Sequence, residues 1–398
     1  MFNSTETIKL NDNNKEKKPK HLQTLISKSL EKNKRKIHKR KIHKRKISKN
    51  NIKNQNKIFD YIFLEKTIAC FSVVILHTNN KFWGFDYKIY KQYWISANVI
   101  ESIFHFAVPF FVLCIGATLL DFNEKYGLII YFKRRIKKVL IPLICWNIIL
   151  YYYYIYIIKY KKKERITFIY LWNLYFDSKL NYLFKSIHSF IIMYMIIPLL
   201  AYVEKSKKIK IYYYCFITLL ISQVLIPYLI SLIEPKLFWR YKIDVNMIIY
   251  IFAGYIIQND KFSNFMKIII YILGIFGLII HIYGTKILTI KYKNISYLHL
   301  GYLNFPCVIY SCSLFLFIKE NSHLLFKLIN KKYINKMSTF TFGIFFLHIP
   351  IKHTYDIYFK PNQYSLTYRF FGGVILFIFC LILTFIIKKL IFGNYLIL

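Results

Sequence analysis

The chain is patterned in long apolar runs separated by short polar, mostly basic, stretches. After Lys57 ten such runs can be counted, at about 59–77, 99–120, 139–158, 184–203, 211–233, 245–258, 265–283, 299–318, 337–351 and 368–387. Most have the roughly 17–25 residues that a helix needs to cross a hydrocarbon core. The sixth and ninth are short. Segments apolar on every side predict helices surrounded by other helices or by lipid. They do not alternate residue by residue, as the strands of a membrane barrel do. The pattern predicts an all-α polytopic membrane protein, with about ten transmembrane helices in one bundle over residues 59–398.

Residues 1–58 break this pattern. They carry 19 Lys and Arg against 4 Asp and Glu, with no aromatic residue beyond Phe2. A segment with so little to bury cannot offset the entropy of ordering, which predicts a basic disordered tail. Within it a pentapeptide repeats: Lys34-Arg35-Lys36-Ile37-His38, Lys39-Arg40-Lys41-Ile42-His43 and Lys44-Arg45-Lys46-Ile47-Ser48. Such a tract is either a low-complexity expansion that only marks the cytoplasmic side or a contact for anionic lipid by Coulomb attraction. It lacks the interleaved aromatic residues that stack on bases, so no nucleic-acid partner is expected.

Composition narrows the class. The 398 residues are 56% hydrophobic and 20% aromatic, with mean hydropathy +0.35, which excludes a soluble enzyme and a β-sandwich. The formal charge of +40, from 58 Lys and Arg against 18 Asp and Glu, goes with an Ile, Lys, Asn, Tyr and Phe bias that suggests an AT-rich genome. Bulk charge is therefore a poor guide to function. All seven cysteines fall in apolar runs without Cys-x-x-Cys or Cys/His spacing, so neither a metal centre nor a disulfide framework is expected. The first apolar run starts too far into the chain for a cleavable signal peptide.

The basic tail and the positive-inside rule place the N-terminus in the cytoplasm, and ten spans return the C-terminus there. Loops after the second, fourth and eighth spans (Lys133 to Lys138, Lys205 to Lys210, Lys327 to Lys336) fall inside on this count, whereas the basic stretch 159–165 falls outside. Trp83, Trp94, Trp172 and Trp239 are expected in connecting loops as interfacial anchors.

Ionisable residues at membrane depth are costly and are functional candidates by default. The first span holds Glu65 and Lys66 and ends at His77. A Glu65–Lys66 pair near the helix end is the structural alternative. Lys66 and His77 are eleven residues apart, which at 100° per residue puts them within about 20° on one helical face and about 16 Å apart along the axis. The second span carries His105 and Pro109. A cluster of Lys133, Arg134, Arg135, Lys137 and Lys138 then leads into the third span, at Pro142 and Trp146. Such a cluster is either an ordinary positive-inside flank or a site for phosphate, which guanidinium groups pair bidentately.

These residues in series resemble the acyltransferase 3 family of integral membrane enzymes. The family opens with Asp-x-x-Arg, an alanine three residues later and a histidine eleven later. Phe63, Lys66, Ala69 and His77 occupy those places here, so the alanine and histidine match and the Asp and Arg do not. Phe106 to Phe111 and then Ile115-Gly116 resemble its second span, with His105 at the usual arginine. Arg135, Lys138, Pro142 and Trp146 match its Arg-x-x-Arg/Lys, Pro and Trp. Tyr194 and Pro198, and then Ser338 to Pro350 with His348, resemble its later motifs.

The resemblance implies O-acylation of a surface glycan or its lipid-linked precursor, with acetyl-CoA or another acyl-CoA as co-substrate and no metal. It implies a multi-pass protein of the plasma membrane, among membrane lipids. His77 and Lys66 become the catalytic candidates. Arg134, Arg135 and Lys138 become candidates for CoA phosphate, and His348 and His105 are further possible site residues. His188 and His281 read as packing. A non-enzymatic glycan or lipid translocator is the alternative, because ten spans also suit a transporter and the Asp and Arg are replaced.

Overall fold

A computed structural model describes residues 60–153, 182–233 and 247–390. The basic tail, Trp172, Trp239 and the stretch 159–165 lie outside the described residues. Every regular element among the described residues is helical.

Helix α1 is Asp60–Thr78. Helices α2 (Tyr90–Phe104) and α3 (Ala107–Leu119) follow as one apolar rod with a break at His105 and Phe106. The cause is Pro109, which has no N–H to give the carbonyl of His105 and crowds it. Then come α4 (Leu128–Arg135), α5 (Ile141–Tyr153), α6 (Tyr182–Ala201), α7 (Lys205–Leu219), α8 (Ile226–Ile233) and α9 (Ile248–Asn259). The last are α10 (Asn264–Ile279), α11 (Thr285–Tyr292), α12 (Phe305–Leu328), α13 (Lys331–Ser338), α14 (Thr341–Phe359) and α15 (Gly373–Lys389). Four π segments interrupt these rods: Ile136–Leu140, Leu220–Leu225, Ile280–Gly284 and Thr367–Gly372. The first two directly precede Pro142 and Pro227, whose missing N–H groups favour a widened turn.

By length and composition five stretches among the described residues can cross a membrane: Asp60–Thr78, Tyr90–Glu124, Lys205–Ile233, Asn264–Tyr292 and Thr367–Lys389. Shorter apolar helices accompany them. The protein is thus an all-α polytopic membrane protein. In the most apolar stretch of Asp60–Thr78 and of Tyr90–Glu124, 67% of residues are buried, against 17% in that of Asn264–Tyr292. The first two rods therefore form the centre and the latter lies at the rim.

Four sequence expectations change. Trp94 lies within α2, fully buried, donating from its indole nitrogen to the Phe82 carbonyl at 2.9 Å. Buried, it is a core residue and not an interfacial anchor. Arg134 and Arg135 end α4 and Lys138 sits in the π segment after it, so this cluster is helical and not a loop. Lys205 to Lys210 likewise open α7. The expected loop Lys327 to Lys336 is the last turn of α12, a two-residue link and α13. In these cases the helix outruns its apolar stretch because charged residues at a membrane surface are ordinary helix formers.

Two contacts hold the centre. A β-carbon on Gly116 would lie 2.0 Å from the Ile251 carbonyl oxygen, and one on Gly254 2.1 Å from that of Leu113. Helices α3 and α9 therefore touch backbone to backbone through reciprocal glycines, as membrane helices do where side-chain volume would keep them apart. Cys70, Val74, Phe340, Ile344, Leu376, Phe377 and Cys380 form a core that joins α1, α14 and α15.

Candidate functional site

Helix α14 runs alongside α1 in the same direction. The Cys70 thiol donates to the Thr341 carbonyl at 3.5 Å. Seven residues on along each helix stand His77 and His348. Seven residues are about two turns, so the same faces meet again. The two imidazoles lie 4.8 Å apart, centroid to centroid, with their planes at 54°. Trp146 of α5 stacks on Phe346 at 5.4 Å, with Leu143 and Leu150 beside it, and so braces the other side of α14.

His348 is fully buried. Its Nδ1 lies 3.1 Å from the Ile344 carbonyl oxygen, which can only accept, so Nδ1 carries the proton. Nε2 then presents a lone pair, and it has no hydrogen-bond partner among the described residues. A buried imidazole fixed in this tautomer can take a proton from a hydroxyl. One turn further along, Lys352 lies within electrostatic range of both imidazoles. Its ammonium donates to Asp356 at 2.6 Å, and the Tyr368 hydroxyl donates to the other Asp356 oxygen at 2.5 Å.

The second group lies three turns down the same face of α1. Lys66 is half-buried, within electrostatic range of Arg135 and Lys138 and close to Cys114. The Arg135 guanidinium sits between two tyrosine rings, 5.6 Å from Tyr131 and 5.4 Å from Tyr194. The Tyr131 hydroxyl donates to the Tyr194 carbonyl at 2.9 Å and ties α4 to α6. The Arg135 Nε is buried with no hydrogen-bond partner among the described residues. A pre-positioned guanidinium with an unused donor suits an anion. Arg134 turns outward onto the Tyr126 ring at 4.1 Å, and Lys138 is exposed.

Glu65 does not pair with Lys66. Adjacent helix residues point about 100° apart, and Glu65 is fully buried with neither carboxylate oxygen hydrogen-bonded among the described residues. His105 does not join the histidine pair either. It lies against Tyr302 at 4.5 Å and His281 at 5.0 Å. No group of three or more His, Cys, Asp or Glu residues suited to a metal ion occurs among the described residues.

Sequence reasoning named His77, His348, Lys66 and Arg135 as candidates, but not how they divide into two groups. It missed Lys352 and the Tyr131 bracket. The four-residue spacing of His348, Lys352 and Asp356 was the available signal for the former. The family model described as an acyltransferase domain, Acyl_transf_3, matches residues 60–389. No curated protein and no solved structure matches the chain.

Proposed function

Because this chain belongs to the acyltransferase 3 family, we propose that it moves an acetyl or other short acyl group from acyl-CoA to a hydroxyl of a cell-surface polysaccharide or its lipid-linked precursor. It does so in the plasma membrane, with both termini cytoplasmic. The observation that carries this reading is the division of one face of α1. The cationic group at Lys66, Arg135 and Lys138 and the imidazole pair at His77 and His348 are separated by about 16 Å of helix.

The roles follow from the chemistry. The CoA phosphates rest on Arg135, Lys138 and Lys66 from the cytoplasmic side, and the long flexible arm carries the thioester along α1 towards the imidazoles. His348 Nε2 takes the proton of the acceptor hydroxyl as its oxygen attacks the thioester carbon. His77, beside it, shares that proton or carries the acyl group in transit. The Lys352 ammonium stabilises the developing oxyanion. The C–S bond then breaks and the thiolate is protonated from its own side. Lys66 supplies charge but not the planar fork of the arginine usual at its place, so the Arg135 guanidinium provides the two-point grip on phosphate.

The test is mass spectrometry of surface glycans from a deletion strain and from strains complemented with wild type or with His77→Ala. We expect O-acyl groups to vanish on deletion and to return with the wild type alone. Unchanged acylation in the deletion strain would refute the assignment. Loss of the glycan itself, in place of its acyl groups, would favour the translocator.

A further inference from the structure

Three segments far apart in sequence meet at the His77 end of α1: the turn from α1 to α2 (79–89), the link from α11 to α12 (293–304) and the link from α14 to the last π segment (360–366). Phe82, Tyr93, Trp94, Ala97, Ile295 and Leu300 form a buried core that fixes the first two to α2. Arg369 fixes the third. It is buried and donates to Asn79 Oδ1 at 3.3 Å, Ser96 Oγ at 2.7 Å and the Tyr364 carbonyl at 3.3 Å. Its own carbonyl accepts from the hydroxyl of Thr78, the last residue of α1, at 2.8 Å.

This base carries exposed aromatic rings. Trp83, Tyr87, Tyr297 and Tyr364 are 44%, 46%, 52% and 44% exposed. The Trp83 and Tyr297 rings, from two of the segments, lie 6.1 Å apart and only 23° from parallel. Tyr87 stacks on Tyr90 at 5.6 Å, and Tyr364 stands edge-on to the buried Tyr93 at 4.8 Å. Lys293 lies over the Tyr87 ring at 5.1 Å and Lys81 over that of Tyr364 at 4.6 Å. Tyrosine and tryptophan present a large rigid face at little cost in side-chain entropy. The C–H face of a sugar ring stacks on such a face, while its hydroxyls bond to the polar tips.

The charge here is one-sided. Residues 79–91, 291–304 and 360–366 hold Lys81, Lys88, Lys91, Lys291, Lys293 and Lys360 against Asp86 alone. Asp86 Oδ1 in turn accepts from the Lys88 backbone N–H at 2.9 Å. On the topology proposed above this end faces away from the cytoplasm, where the positive-inside rule disfavours lysine. Anchoring in the membrane interface would account for the rings but not for this charge, which suits an anionic partner. The end also adjoins the reacting groups. Tyr368, four residues beyond Tyr364, holds Asp356, and Asp356 holds Lys352 near both imidazoles. His77 is half-buried, two residues before Asn79.

We propose that this end of the bundle is the docking surface for the acceptor, and that the acceptor is an acidic polysaccharide. Its sugar rings lie on Trp83, Tyr87, Tyr297 and Tyr364 and its carboxylates meet the lysines, which brings a hydroxyl of the same chain to His77. The inference rests on the acyl-transfer reading above and narrows its acceptor.

Binding to the full chain in nanodiscs of zwitterionic lipid tests it without turnover. The probes are oligogalacturonate, an acidic sugar chain, and maltohexaose, a neutral one. Oligogalacturonate should bind about tenfold more tightly or better, and the gap should close as salt rises. Trp83→Ala and Tyr297→Ala should each weaken oligogalacturonate about tenfold. Lys81→Gln combined with Lys293→Gln should weaken it and leave maltohexaose unchanged. Thermal midpoints report folding, and Tyr297→Ala decides where Trp83→Ala loosens its loop. No binding of oligogalacturonate, equal affinity for both sugars, or unchanged affinity in the aromatic variants would overturn the docking surface. Lipid brominated on its acyl chains should not quench the part of the fluorescence that Trp83→Phe removes. Quenching would make Trp83 a membrane anchor instead. A wild type that binds but transfers nothing removes the acyl-transfer reading alone, whereas an active wild type that binds neither sugar removes the docking surface alone.

Discussion

His348 spends its Nδ1 proton on the Ile344 carbonyl, which leaves Nε2 as the atom that can accept. His348→Ala should therefore reduce acylation as severely as His77→Ala, by about 10²–10⁴-fold. His77→Gln should be equally poor, because an amide forms hydrogen bonds but takes up no proton at neutral pH. If the imidazoles act as a unit, the double variant should be scarcely worse than either single one. Acetyl released from purified glycan, at matched protein levels, measures all four. Either single variant with near-normal acylation would rule out the histidine mechanism. Arg135 is proposed for the donor end. Arg135→Ala removes charge-assisted hydrogen bonds of about 1.5–3 kcal/mol each, so the KM for acyl-CoA should rise at least tenfold. Arg135→Lys should be partly impaired, because it keeps the charge but loses the fork. A donor KM unchanged in Arg135→Ala would take this residue out of the site.

At the scale of elements, the decisive features are where helices touch. Helices α3 and α9 meet through Gly116 and Gly254, and any β-carbon there would strike a carbonyl of the opposite backbone. Gly116→Leu should cost at least the upper end of the about 1–3 kcal/mol usual for overpacking. Neither partner is a flexible side chain that can step aside. The check is the thermal midpoint of the detergent-solubilised protein, and a midpoint equal to wild type would show that the helices separate without cost. The apolar runs predicted most of these rods, including the first at 59–77 against Asp60–Thr78 and the tenth at 368–387 against Thr367–Lys389. They did not predict rods that extend into charged sequence, such as α4 and the start of α7. Hydropathy reports contact with lipid, whereas a helix continues wherever its backbone hydrogen bonds continue.

For the whole molecule, the break in composition near Lys57 lies ahead of every candidate site residue named above. Deleting residues 2–50 should leave glycan acylation within a few-fold of normal in a stably inserted protein, measured on whole cells. Complete loss would give the tail a part in donor binding or catalysis. The family was legible in the sequence because its anchors are local: each motif lies within one span, and residue type and spacing along a helix are enough to see it. The same is true of the shared face of Lys66 and His77, which helical geometry alone sets. Pairings between spans were not legible. His348 lies 271 residues from His77 and looked like one of several intramembrane histidines, while His281 looked like packing. Only the parallel packing of α1 and α14, in register from Cys70 and Thr341 upward, brings the first pair together. The contact of α2 with the π segment gathers His105 and His281. A one-dimensional pattern tells which residues share a helix face, but which faces meet depends on the packing of the entire bundle.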